Sequence, residues 1–124
     1  MPPDRPPTLI HGDLLGQNIL LRPEMSPAVI DWEFTQLGDP AYDLAIVTRG
    51  AKRPFQIDRG LDLLLDSYRQ AGGRDVERRH VLFHELCLAA DWLKVALTGG
   101  HGVEHPDQAV IRLRNVLQRA LAVG

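Results

Sequence analysis

The chain changes its grammar near residue 40, and that change limits what it can fold into. From Thr8 to Thr35 the apolar residues come in short runs such as LI, LL, ILL and AVI, cut by Gly, Pro and polar residues. Runs this short between turn formers specify strands and loops. From Pro40 to Ala122 the apolar residues recur at helical spacing over longer segments. The fold class expected is α+β, mainly α, with a short β-hairpin and loop packed on about four helices.

Thr8 to Ile10 reads as a short strand. Ile19 to Leu21 and Ala28 to Ile30 flank RPEMSP, whose prolines mark a turn, so they are expected to form the hairpin. A first helix runs from Pro40 to about Thr48, with Asp39 as its N-cap. A second, Ile57 to Ala71, places Leu61, Leu64, Leu65 and Tyr68 on one face and stops at Gly72-Gly73. A third is expected to be capped by Asp75 and to reach about Leu97. The last spans Pro106 to Ala122. Residues 50 to 54 read as a loop.

With 124 residues the chain has the length of a single domain, spanning 1–124. A chain of this size buries roughly 65% of its unfolded surface, enough for a hydrophobic core. A net charge of −2 gives no electrostatic case for nucleic acid or an anionic membrane. Cys87 is the one cysteine, so no internal disulfide forms, which fits a reducing cytoplasm. No signal peptide or membrane span is read, and a cytoplasmic protein is expected.

Chemistry concentrates at HGDLLGQN, residues 11–18, and at AVIDWE, residues 28–33. A symmetric turn centred between Glu24 and Met25 would pair Leu21 with Ala28, Leu20 with Val29 and Ile19 with Ile30. The next rung would set Asn18 beside Asp31, a carboxylate that looks buried in the sequence. A bulge would shift that register by one residue and leave the two as neighbours. An amide oxygen beside a carboxylate suits a hard cation such as Mg²⁺. Asp13, five residues before Asn18, is placed to accept a proton from an attacking hydroxyl. Phosphoryl transfer asks for that division of labour.

HGDLLGQN, VIDWE and GDPAYDLA together resemble the aminoglycoside phosphotransferase and choline kinase-like family of small-molecule kinases, whose core is related to protein kinases. The resemblance covers residues 10 to 45. It implies the C-terminal lobe of a protein-kinase-like fold and an ATP-dependent phosphotransferase. The acceptor would be a hydroxyl of a small molecule, such as an aminoglycoside-like compound or an amino alcohol. In that family pattern Asp13 is the catalytic base, Asn18 and Asp31 bind Mg²⁺, His11 supports the loop from beneath, and Asp43 braces it by hydrogen bonding. Many members carry a histidine two residues after the catalytic aspartate. This chain has Leu15 there, so no electrophilic help is expected from that position.

The family's N-terminal lobe supplies a glycine loop and a strand lysine. Neither is found here: the lysines are Lys52 and Lys94, and Gly99-Gly100-His101-Gly102 joins two helices. That lobe is expected to be absent, leaving a groove that favours self-association or a missing partner lobe. A non-catalytic Mg²⁺-nucleotide-binding or interaction module of the same fold is the alternative, and a metal-dependent phosphate-ester hydrolase is a second rival. His80, His84, Cys87 and Asp91 fall on one helical stripe and read as packing in preference to a zinc site. Glu33, Glu85, Asp91 and Trp92 are weaker substrate-contact candidates, and Lys52-Arg53 reads as a solvated loop.

Overall fold

A computed structural model describes residues 5–48, 59–99 and 102–123. The loop expected at 50–54, with Lys52, and the middle of the Gly99–Gly102 stretch lie outside those residues. In chain order the elements are β1 (Thr8–Ile10), a 3₁₀ turn (Gly16–Asn18), β2 (Ile19–Leu20), β3 (Ala28–Val29), β4 (Gln36–Gly38), α1 (Pro40–Thr48), α2 (Gly60–Gln70), α3 (Arg78–Leu97) and α4 (Pro106–Val123). The protein is therefore mainly helical, with two small antiparallel sheets, β1–β4 and β2–β3.

The hairpin departs from the expected register. Ile19 pairs with Val29 and Leu20 with Ala28, so the ladder is centred on residue 24 and not between 24 and 25. Glu24 itself has φ +62°, a left-handed conformation that turns the chain at a single residue and gives an odd-numbered connection. The next rung joins the Ile30 N–H to the Asn18 carbonyl at 2.9 Å. Asp31 therefore lies one residue beyond Asn18's partner. The β1–β4 pairing, Thr8 with Gly38 through Ile10 with Gln36, was not expected from sequence.

α1 is buried nearly all round, through Ala41, Leu44, Ala45, Ile46 and Val47. Small and branched side chains at these positions let α3 pack closely against it. One core unites Ala41, Leu44 and Ala45 of α1 with Leu65 of α2, Val76 of the connection and Val81 of α3. The stripe expected on α2 meets it through Leu61, Leu64 and Tyr68. Fully burying the leucine and valine side chains of this core stabilises by about 1.5–3 kcal/mol each. The segment before β1 is tied down by Arg74, whose Nη1 donates to the Pro6 carbonyl at 2.7 Å, and by Arg5, which donates to the Asp75 carbonyl.

α1 has the expected cap: Asp39 Oδ1 accepts the Ala41 N–H at 3.0 Å. α3 does not. Its N-cap is Glu77, whose N–H donates to His80 Nδ1 at 3.0 Å. Asp75 lies two residues too early, because Val76 is drawn into the core between the two. No described helix is long and apolar enough to cross a membrane.

Candidate active site

The loop between β1 and the 3₁₀ turn is held from three sides. From α1, the Asp43 carboxylate accepts two backbone donors at once: the His11 N–H on Oδ2 at 2.7 Å and the Gly12 N–H on Oδ1 at 2.9 Å. Charge-assisted bonds to both oxygens fix the carboxylate's plane and the peptide between them. From just past the end of β3, the Ile30 carbonyl lies 2.9 Å from His11 Nε2. A carbonyl only accepts, so Nε2 carries the hydrogen, and Nδ1 accepts the Asp13 N–H at 3.2 Å. His11 is thereby a rigid strut, buried and edge-on to Trp32 at 4.7 Å between ring centroids.

The third support is steric. Gly12 has φ +84°, and a Cβ there would sit 2.3 Å from the Phe34 carbonyl oxygen. Only glycine lets the loop pass that close to the segment after Asp31. The 3₁₀ turn then buries Asn18, 5% exposed, whose Nδ2 donates to the Asp13 carbonyl at 2.8 Å and to Asp13 Oδ2 at 3.2 Å. These bonds commit the amide nitrogen to Asp13 and assign the amide oxygen to the other side. Asp13 and Asn18 thus form one hydrogen-bonded unit.

Asp31 needs a correction: it is exposed, not buried. Its φ is +66°, so two residues past the end of β3 the chain passes through a left-handed conformation. Aspartate tolerates that conformation better than most side chains. Hard oxygen donors from one amide and one carboxylate fit Mg²⁺, which is ordinarily bound through one or two carboxylates plus substrate phosphates. Among the described residues no group of three or more His, Cys, Asp or Glu is placed to hold a metal.

The remaining candidates disperse. Glu33 and Asp91 are exposed. Of the helical stripe, His84 Nε2 lies 3.2 Å from Asp39 Oδ2, His80 serves the α3 cap and Cys87 is exposed. Burial raises the Asp39 carboxyl, but the Ala41 N–H, His84 and Arg5 outweigh it and hold it below the ordinary range. Glu85 and Trp92 line a pocket between α3 and α4 of about 320 Å³. Its Glu85–Arg119 and Glu104–Arg112 pairs escaped the sequence reading, because partners 34 and 8 residues apart on different elements leave no local periodicity.

The model of the phosphotransferase enzyme family matches residues 1–83, two-thirds of the chain and all of the loop just described. The chain belongs to that family. Protein LicA of Haemophilus influenzae is 27% identical over 110 residues, covering 83% of this chain and 40% of that protein. The mouse acyl-CoA dehydrogenase family member 10 is 43% identical over 47 residues, 36% of this chain and 4% of that protein. The chain thus spans less than half the length of the curated relatives it matches. No solved structure matches it.

Proposed function

We propose that this chain is the acceptor- and metal-holding C-terminal lobe, residues 1–124, of a protein-kinase-like small-molecule phosphotransferase. A substrate hydroxyl would give its proton to Asp13 as its oxygen bonds to the γ-phosphorus of ATP. The bond to the β–γ bridging oxygen breaks and ADP leaves. Asn18 Oδ1 and the Asp31 carboxylate would hold Mg²⁺, which when bound neutralises phosphate charge. The remaining residues position: Asn18 orients the Asp13 carboxylate, while Asp43, His11 and Gly12 fix the peptide that carries it. The observation that carries this reading is the Asp13–Asn18 unit on a loop whose two adjacent N–H groups share one carboxylate.

Mn²⁺ reports the metal site without needing transfer to occur. Added with ATP, it is expected to broaden the amide signals of Asn18 and Asp31 first, and Asp31→Asn should abolish that selectivity. Asparagine is the right replacement because, unlike alanine, it accepts a left-handed φ. Broadening spread evenly over the acidic surface, or unchanged in Asp31→Asn, would overturn the assignment. In an enzyme complete with its nucleotide lobe, Asp13→Ala should lower transfer by about 10²- to 10⁴-fold. It should leave metal binding in place, since Asn18 keeps its bond to the Asp13 main-chain oxygen.

A further inference from the structure

Asp39 is the single residue between the two elements that hold the Asp13 loop. Before it, β4 ends at Gly38, which pairs with Thr8 of β1, the strand that leads into the loop. After it, α1 begins at Pro40 and one helical turn later brings Asp43 to the His11 and Gly12 amides. The angle between β4 and α1 at Asp39 therefore sets where Asp43 meets the loop that β1 delivers. On the helix side Asp39 is tied by its cap: Oδ1 accepts the Ala41 N–H at 3.0 Å and the main-chain carbonyl accepts the Tyr42 N–H at 2.9 Å. Those bonds fasten Asp39 to its own helix only. The other oxygen, Oδ2, reaches outside it and lies 3.2 Å from His84 Nε2 of α3.

The two side chains are each only 18% exposed. The His84 ring stands edge-on to Tyr42 and to Phe83, with centroids 5.8 and 5.4 Å away, so aromatic neighbours restrict the imidazole and keep Nε2 aimed. A carboxylate only accepts, so Nε2 carries the hydrogen. Burial raises the Asp39 carboxyl, yet the Ala41 N–H and His84 outweigh it, and Asp39 is ionised at neutral pH. The bond is thus charge-assisted whether or not the histidine is protonated. We propose that His84 is a positioning residue for the Asp13 loop: its bond to Asp39 Oδ2 locks the β4–α1 junction to α3, and so holds Asp43 where it takes both loop amides. What the loop is for rests on the phosphotransfer reading. The lock itself needs neither nucleotide nor metal.

The test is amide hydrogen exchange, followed by NMR on the chain free of metal and nucleotide, in wild type, His84→Leu and His84→Gln. Leucine fills space without a donor, whereas glutamine carries an N–H at about the reach of imidazole Nε2. His84→Leu is expected to speed exchange of the His11 and Gly12 amides roughly tenfold, the scale of one lost hydrogen bond to a charged group. The amides of Ala89 in α3 and Val116 in α4, both buried, should stay near their wild-type rates. His84→Gln should return the two loop amides close to wild type, a rescue that space-filling does not produce. Should His84→Leu not fold, Asp39→Ser carries the test, since serine keeps a cap oxygen for Ala41 but is too short to reach His84. Unchanged rates at His11 and Gly12 would overturn the proposal, as would equal acceleration at Ala89 and Val116, which marks a general loss of stability. A glutamine variant as fast as the leucine one would overturn the hydrogen bond as the agent. No arm uses ATP or Mn²⁺, so this result and the metal test at Asn18 and Asp31 can fail independently.

Discussion

Asp31 bears two demands that pull apart. Its left-handed φ is a strained conformation for any side chain, yet a carboxylate is what a divalent cation would need there. Two substitutions separate these demands. Asp31→Gly relieves the backbone while removing the ligand, and Asp31→Ala removes the ligand while adding strain. In urea denaturation Asp31→Ala is expected to be less stable than Asp31→Gly by about 1 kcal/mol, with both equally unable to localise Mn²⁺. Equal stabilities would show that the left-handed backbone is not held in solution. Asp43 gives a second residue-scale expectation. Asp43→Asn retains one acceptor oxygen for two N–H donors, so one of the His11 and Gly12 amides loses its partner. A loss of about 1–3 kcal/mol should follow, read from the urea midpoint. Hydrogen exchange at the released amide should rise in step. The identity of these residues was legible in VIDWE and GDPAYDLA. The handedness of Asp31 was not, because single-residue φ depends on where the register falls.

α3 shows how far element-scale reasoning reaches. Its length and its end at Leu97 follow from apolar spacing and the glycine beyond. Its start does not, because Asp75 is the better cap by residue type, and core packing of Val76 moves the start on to Glu77. The hairpin register failed for a similar reason: a symmetric-turn rule presumes an even connection, and Glu24 makes it odd. β4 left no trace in the sequence because a three-residue strand with two exposed positions has no measurable alternation. The cap that did form is pH-sensitive. His80 Nδ1 accepts the Glu77 N–H only while unprotonated, and burial, then the charge of Arg5, hold the imidazole below its ordinary value of 6.5. A lowered folded value means that the unfolded chain binds the proton more readily. The contribution is therefore complete above about pH 6.5 and is lost as pH falls through the folded value. Melting temperature is expected to drop between pH 7.5 and pH 5 in the wild type, and to drop less in His80→Gln. An equal fall in the variant would place the acid sensitivity elsewhere.

At the scale of the molecule, the helices bury a continuous core while the strand region faces outward with apolar side chains. Leu9 and Leu37 pair across β1–β4 and are 63% and 70% exposed; Leu21, Trp32 and Phe34 are exposed nearby. Scattered exposed leucines need no account, but a cross-strand pair beside further aromatic surface forms a patch. The patch lies on the segments that flank the Asp13 loop. In this chain taken alone, a second copy is the available cover. Self-association is therefore expected to rise with concentration in sedimentation velocity, and Leu9→Thr with Leu37→Thr should shift it toward monomer. Both positions are strand sites where threonine fits the pleat, so circular dichroism should be unchanged. If the double variant associates as the wild type does, the β1–β4 face is not the contact. The α4 surface, where Ile111, Leu117 and Leu121 are also exposed, then becomes the face to vary next.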